Sequence, residues 1–290
     1  MRAHRGIALA LGLPWLLTFG LFWAFPMVYS LFMGFTDHQL LAKSFQWVGL
    51  DNYRALFRDP DFVSSLKNTF VFVLGTIPFT TVLSLAMALL VNRQFRGRGL
   101  FRAGYFLPSI TSLVVISLIF TNLYSRGGYV ALLAHVIGLT PPENGFLYDS
   151  GTALYAIMAM DVWMAVGYYM LIFLAGLKAI PEELYEAAEI NGASPLRQFV
   201  SITLPMLRPV TLFIVVINSI KSFQIFTEMF VMTKGKFDTA TTVYFIYDTG
   251  LTTQFKFGYA SAAAYALFAI IGLFSLAQFI LFRRRQEYSW

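Results

Sequence analysis

The chain of 290 residues contains no cysteine, so it can form no disulfide, present no thiolate nucleophile and hold no metal through sulfur. Charge is also scarce. Asp, Glu, Lys and Arg make up 12% of the residues against 58% hydrophobic ones, a balance that excludes water as the solvent for most of the chain. There is no G-x-x-x-x-G-K-[ST], so no phosphate loop for hydrolysing ATP, and neither H-E-x-x-H nor G-x-S-x-G occurs. His4, His38 and His135 stand far apart and form no ligand cluster. No repeat of about 20–50 residues, no low-complexity tract and no GxxxG pair is present. These absences leave no catalytic site and no metal centre to expect.

What is abundant is apolar and aromatic surface, including 30 Phe and 15 Tyr, which suits a chain whose outer face meets acyl chains and headgroups. The net charge of +6 does not indicate nucleic acid, because the basic residues are scattered over short connectors rather than interleaved with aromatics. Six segments are long and apolar enough to cross a bilayer with every backbone N–H and C=O paired internally. They are 7–35, 68–91, 103–124, 152–177, 210–233 and 257–282. The first far exceeds the apolar stretch of a secretory signal, so it is read as a retained span. Four of the six are uncharged, whereas the fourth carries Asp161 and the fifth carries Lys221 and Glu228.

Lys and Arg set the expected orientation. The two tails and the connectors 92–102 and 178–209 hold twelve in about 57 residues, while the three other connectors hold eight in about 80. Arg93, Arg96, Arg98 and Arg102 in one short loop, and Arg283 to Arg285 after the last span, are the clearest markers, and they place both termini in the cytoplasm. The reading is thus an all-α membrane protein with six transmembrane helices in a single domain, 1–290, with an outer loop at 34–67 and a cytoplasmic loop at 178–209. In a second outer connector, Tyr129, Leu132, Leu133, Val136 and Ile137 recur at helical spacing, which predicts a short amphipathic helix over 128–139 lying in the interface or against a neighbouring span.

The longest cytoplasmic connector has clear helix punctuation. Pro181 suits a first turn, Glu182 and Glu183 complement the positive helix end, and Gly192 suits the left-handed residue that closes a helix. Ser194 before Pro195 then caps a second helix, which Pro205 stops or kinks. The expected result is a helical hairpin. Ala187 and Ala188 would let another surface approach its backbone, with Glu186 as an anionic handle beside them. A plain capped hairpin, whose acids only serve the helix dipole, fits the spacing as well.

Glu186-Ala187-Ala188, three residues, Gly192, nine residues and Ile202-x-Leu204-Pro205 match without a gap the EAA motif of ABC importer permeases. Over nearly its whole length the chain resembles the carbohydrate-uptake permeases of the maltose and glycerol-3-phosphate type. The likeness includes Val48-Gly49-Leu50-Asp51-Asn52-Tyr53 with Asp59-Pro60, Phe106-Leu107-Pro108, and Gly258-Tyr259-Ala260-Ser261-Ala262. It departs at Lys234-Gly235-Lys236-Phe237, where relatives usually carry Gly-Gly-Pro, and at Tyr129, where many have Asn after the glycines. The resemblance implies a subunit of the bacterial inner membrane that imports a sugar or sugar-like solute. Glu186, Ala187, Ala188, Gly192, Ile202, Leu204 and Pro205 would form the coupling element seated on an ATPase dimer, which carries the ATP and Mg, so this chain needs no cofactor. It further implies a second, homologous permease and an extracytoplasmic solute-binding protein.

An ionisable residue within a span normally faces a cavity or a partner. Asp161 lies about 24 Å of helix from Leu177, and Lys221 rises the same distance from Pro205, so the two are expected at one depth. Ala165 and Tyr168 share the face of Asp161, while Asn218, Lys221, Ser222 and Ile225 form a polar stripe on the fifth span. Two readings fit: the stripes line a solute path, as the resemblance implies, or Asp161 and Lys221 form a structural ion pair. Glu228 is expected to reach the interface, and Trp163 and Tyr169 to pack or face lipid. Asp161, Tyr168, Asn218 and Ser222 suit sugar hydroxyls, whereas Lys221 would suit a polyol phosphate, the alternative solute. A secondary carrier would show internal repeats and broken helices, and neither is visible in the sequence.

Overall fold

The computed structural model describes residues 2–39, 42 and 44–284, and the backbone alone for 2–10, 283 and 284. Arg285 lies outside the described residues, as do the side chains of Arg2, His4, Arg5, Arg283 and Arg284. Helix α1 (Arg2–Phe19) passes through a widened π turn at Gly20–Ala24 into α2 (Phe25–Met33), where Pro26 has no N–H to give the ladder. A short α3 (Asp51–Leu56) precedes the long α4 (Pro60–Asn92). Then follow α5 (Arg98–Ile110), α6 (Leu113–Leu123), α7 (Tyr129–Val136) and α8 (Ala153–Lys178). The hairpin consists of α9 (Glu183–Ile190), α10 (Pro195–Gln198) and α11 (Leu204–Met206), and leads into α12 (Arg208–Phe223). Helices α13 (Thr242–Tyr247) and α14 (Phe257–Arg284) complete the chain. Among the described residues there is no strand, only isolated bridges at Thr36–Trp47 and Ser125–Gly145.

Leu11–Met33, Pro60–Asn92, Ala153–Lys178 and Phe257–Phe282 are uninterrupted helices apolar and long enough to cross a membrane. Two further stretches reach that length only as bent helix pairs; the bend in the third span corrects the reading of an unbroken helix, whereas the bend after Met206 falls where Pro205 was expected to stop or kink the hairpin's second helix. Arg98–Ile110 meets Leu113–Leu123 at 98°, and Pro195–Met206 meets Arg208–Phe223 at 61°. The first bend follows Pro108, which stands inside α5. Proline offers the helix no N–H, the Thr111 hydroxyl donates back to the Leu107 carbonyl at 2.8 Å, and Thr111 turns to extended backbone. The helix expected to run to Thr233 also stops early: α12 ends at Phe223, and helical geometry resumes at Thr227 and leads into a π turn at Met229–Thr233.

Packing divides the described chain into two compact units, Met1–Val63 with Phe245–Ala269 and Ser64–Tyr244 with Ile270–Trp290. In the first unit, the residues of the family motifs act as staples. Asn52 donates to the carbonyls of Gly34 and Thr36 at 3.0 and 2.8 Å, and Tyr259 donates to Asp59 at 2.8 Å while the other Asp59 oxygen caps α4 through the Asp61 N–H at 2.9 Å. Ser30 meets Ser261 at 3.2 Å, and any Cβ on Gly258 would strike the Thr36 carbonyl.

The second unit holds two apolar cores, one around Phe72, Ile157, Met160 and Met229 and one around Tyr169, Met170, Phe173, Leu207 and Ile214. Between membrane helices apolar burial gives little driving force, so small residues and close backbone approach carry the packing. Gly167 on α8 lies directly against the Tyr105 carbonyl of α5, and Gly176 sits against Val210 of α12. Helix α7 forms where expected, with its apolar stripe on the outer side. Ala131 and Ala134 turn inward, while Tyr129, Leu132, Leu133, Val136 and Ile137 are exposed.

Gly167→Ala is expected to destabilise the purified protein by about 1–3 kcal/mol, because the added methyl meets backbone that cannot rotate away. Gly104→Ala, on α5 with open space around it, should leave the thermal midpoint unchanged or slightly higher. A thermal-shift comparison of the two variants checks both.

Candidate functional site

The fourth and fifth crossings meet around a cavity of about 470 Å3 in the second unit, within the usual range of small-molecule sites. Asp161, Ala165 and Tyr168 line it from α8, Asn218, Lys221 and Ser222 from α12, and Ile225 from the segment just beyond. The seven residues expected on facing stripes are therefore brought together. The matched depth was counted along a straight helix from Pro205. The chain bends after Met206, so the meeting of Asp161 and Lys221 at one cavity comes from the packing of α8 and α12 rather than from that count.

The two charges make no ion pair among the described residues, where the pair present is Arg54–Asp51 at 3.1 Å. The Lys221 ammonium instead stands over the Tyr168 ring, 5.1 Å from its centroid, where the negative face of the ring attracts it. Glu228, expected to reach the interface, is buried at 5% exposure and lines the cavity. The reason is the early end of α12. The chain leaves helical geometry over 224–226 and is helical again from Thr227, and residues of the segment 224–228 pass along the cavity wall. Non-helical backbone survives at membrane depth only where its polar groups are met or face a polar cavity. Here the Ile225 carbonyl accepts from the Thr241 hydroxyl at 3.0 Å.

Sequence reasoning also missed Tyr169, Gln224 and Thr227 as lining residues. Tyr169 lies eight positions from Asp161 and so shares its face, a signal present in the helical spacing. It packs into the second core and lines the cavity as well. Trp163 does turn outward, half exposed and against Phe120 at 5.2 Å. The wall is held by polar ties between helices: Ser109 donates to the Met164 carbonyl at 2.7 Å, and the Thr76 and Ser222 hydroxyls lie 3.4 Å apart.

The hairpin that carries Glu186 belongs to the same unit. Gly192 takes φ of +73°, the left-handed turn expected of it, and the Ser194 hydroxyl accepts from the Arg197 N–H at 3.4 Å. The Tyr185 and Thr203 hydroxyls, 2.8 Å apart, clip the two arms together. Glu186 and Ala187 are exposed, Ala188 is half-buried, and Ile190 and Leu196 stand 88% and 73% exposed, an apolar patch flanking the acid. Of the rest of the motif, Ile202 and Pro205 are half-buried and Leu204 is exposed. Where the sequence departs from its relatives, Lys234, Gly235, Phe237 and Asp238 all take positive φ, a conformation that favours glycine. The Tyr244 hydroxyl, on the Lys234 carbonyl at 2.7 Å, and the Asn68 amide, on that of Asp238 at 2.9 Å, hold this turn in place.

Comparison with known proteins agrees with this architecture. The chain is 34% identical over 272 residues to the probable ABC transporter permease protein YesP of Bacillus subtilis, covering 92% of this chain and 87% of that one. It is 32% identical over 279 residues to the lactose transport system permease protein LacF of Rhizobium radiobacter, covering 94% and 93%. A crystal structure of a bacterial ABC transporter that imports the acidic polysaccharide alginate superposes with a TM-score of 0.85 at 23% identity, over 97% of this chain and 96% of that one, and so shares its fold. Residues 80–287 match the family described as binding-protein-dependent transport system inner membrane component, well over half of the chain, and to that family this protein belongs.

Proposed function

We propose that this chain works as one permease domain of an ABC importer, passing a sugar or sugar-like solute from an extracytoplasmic binding protein into the cytoplasm. It is a transport subunit and not an enzyme, as its family membership states. The observation that carries the solute reading is the convergence of Asp161, Tyr168, Asn218, Lys221 and Ser222 on one cavity between a helix long enough to span a membrane, α8, and α12, which reaches that length only together with the bent segment before it. A site with carboxylate, amide, hydroxyl and aromatic groups in an otherwise apolar wall matches the hydroxyls and faces of a sugar ring. The names of relatives point the same way: LacF is a lactose permease, and MsmF of Streptococcus mutans belongs to a multiple sugar-binding transport system. The permease UgpA of Pectobacterium atrosepticum, named for sn-glycerol-3-phosphate, keeps a polyol phosphate as the second reading, for which Lys221 would be the point charge.

The hairpin is the element proposed to meet the ATPase. Exposed Glu186 and Ala187, flanked by exposed Ile190 and Leu196, form a rigid ridge of mixed polarity suited to a groove on a partner chain. In this reading the ATPase dimer holds the ATP and Mg, both termini and the hairpin lie in the cytoplasm, and a second permease closes the solute path from the other side. The alginate importer with the same fold has been seen in complex with its substrate-bound periplasmic protein.

Two experiments test these roles. Glu186→Lys, which reverses the charge of the ridge, and Gly192→Pro, which cannot adopt the positive φ of the turn, should each cut solute-stimulated ATPase activity of the reconstituted complex at least about tenfold, or ~1.4 kcal/mol. Unchanged stimulation in both would remove the hairpin from coupling. For the cavity, Asp161→Asn, Lys221→Met and the double variant are compared by thermal midpoint and by uptake. With no ion pair joining them, the double variant should not regain the stability that either single variant loses, while uptake falls at least about tenfold in each single variant. Full uptake in the double variant would exclude both from the solute path, and mutual rescue of stability would show a structural pair instead.

A further inference from the structure

A second cavity of the same unit, about 520 Å3, shares no lining residue with the first. It is a groove between α4 and α8 that also takes in Tyr105 of α5, and no charged side chain lines it. Gly75, Phe79, Leu83 and Met87 recur every four residues along α4, so the groove follows that helix for about 18 Å. One leaflet of hydrocarbon is about 15 Å deep, half of the bilayer's ~30 Å, so the groove has the length of one leaflet. Close helix contact in membranes uses small residues, but Gly75 is already covered by the Met158 side chain, and Phe79, Leu83, Tyr155 and Trp163 are large and exposed. Such a wall suits a flexible chain better than another helix.

Basic residues gather at one end of this groove. Met87 lies five residues before the end of α4 at Asn92, and Arg93, Arg96, Arg98 and Arg102 follow with no acid among them. Arg102 is tied into the fold, donating to the Val91 carbonyl at 3.2 Å. Arg93, Arg96 and Arg98 are exposed and make no ion pair among the described residues. Aromatic rings lead from their loop to the groove: Phe95 meets Phe101 at 6.1 Å between centroids, and Phe101 meets Tyr105 at 4.6 Å.

We infer that the groove and the arginine loop together bind an anionic phospholipid, with one acyl chain along α4 and the headgroup phosphate on Arg93, Arg96 and Arg98. Guanidinium groups keep their charge in this setting and present paired N–H donors to phosphate oxygens. A zwitterionic lipid fills the groove equally well, but its own ammonium offsets the phosphate, so the arginines favour a headgroup of net negative charge. Membrane orientation alone accounts for arginines in a connector. It does not account for an apolar groove one leaflet long that starts within about two helical turns of them. The site is separate from the proposed solute path and would stand if that reading failed.

The test uses the assembled transporter, this chain with its partner permease and ATPase, in nanodiscs of phosphatidylcholine. Trp163 lines the groove, at a level between Met158, which covers Gly75, and Val166, whose carbonyl accepts from the Ser84 hydroxyl at 3.1 Å. Its fluorescence, taken as the difference between the native complex and a Trp163→Phe complex, reads quenching by lipids brominated at mid-chain. Brominated phosphatidylglycerol should half-quench it at a mole fraction about fivefold or more below that of brominated phosphatidylcholine. Arg93→Gln, Arg96→Gln and Arg98→Gln combined should bring the two lipids to within about twofold of each other. Equal quenching by both lipids in the native complex would overturn the inference and leave only bulk lipid passing the groove, as would a preference that survives in the arginine variant. Quenching by neither lipid would show that protein, such as a helix of the second permease, covers the groove, and would overturn it too.

Discussion

Hydrocarbon offers a backbone no water to bond to, so each crossing segment must satisfy its own N–H and C=O groups or find substitutes inside the protein. The architecture follows from where that rule is met by plain helix and where it is met by other means. Four crossings are uninterrupted, and their apolar side chains can face lipid on one side and neighbours on the other. Two are bent, and the fifth is interrupted again where α12 ends at Phe223; the bend after Pro108 and this interruption each have a substitute donor. Thr111 supplies a hydroxyl to the Leu107 carbonyl after Pro108, and Thr241 supplies one to Ile225 beyond the end of α12. The interruption is what turns Gln224, Thr227 and Glu228 onto the cavity wall, positions that a continuous helix would have carried partly round to other faces.

Around the cavity, the helices are drawn together by small residues and short polar ties instead of by expulsion of water. Gly167 lets α8 rest on the backbone of α5, and Gly176 lets it approach α12. Helix α4 contributes a row of buried hydroxyls: Thr69 meets Thr242 at 3.0 Å, Thr76 meets Ser222, and Ser84 donates to the Val166 carbonyl at 3.1 Å. Each such bond is worth on the order of 0.6 kcal/mol in membrane proteins, so no single one holds the wall. Their combined effect is geometric, since a hydroxyl reaches only one partner at one registry. That registry sets Asn218, Ser222 and Lys221 opposite Asp161 and Tyr168.

The hairpin obeys soluble-protein rules. A left-handed glycine, an N-cap serine and a hydroxyl clip between its arms define its turn, while Tyr185 and Ile202 pack both arms against the core of α8 and α12. A rigid element of this kind, joined to α12 through a 61° bend, suits the proposed role of carrying movement between a partner chain and the cavity walls.

The crossings were legible in the sequence because the rule behind them is local: about 20 apolar residues either can or cannot span, and no distant residue alters that count. The same holds for the hairpin, whose turn needs Gly192 and whose cap needs Ser194, and for the polar faces of α8 and the first part of α12, which follow from 3.6 residues per turn. What tertiary structure decided depends on contacts between residues far apart in the chain. Whether Lys221 would pair with Asp161 or rest on Tyr168 turned on a few ångströms of helix placement, and Glu228 faced the cavity because Thr241 could satisfy the backbone at the break. The side to which the stripe of α7 turns is likewise a matter of tertiary structure, with Ala131 and Ala134 buried on the opposite face. Periodicity tells which residues share a face, but the direction of that face is set by the neighbour that fits it best.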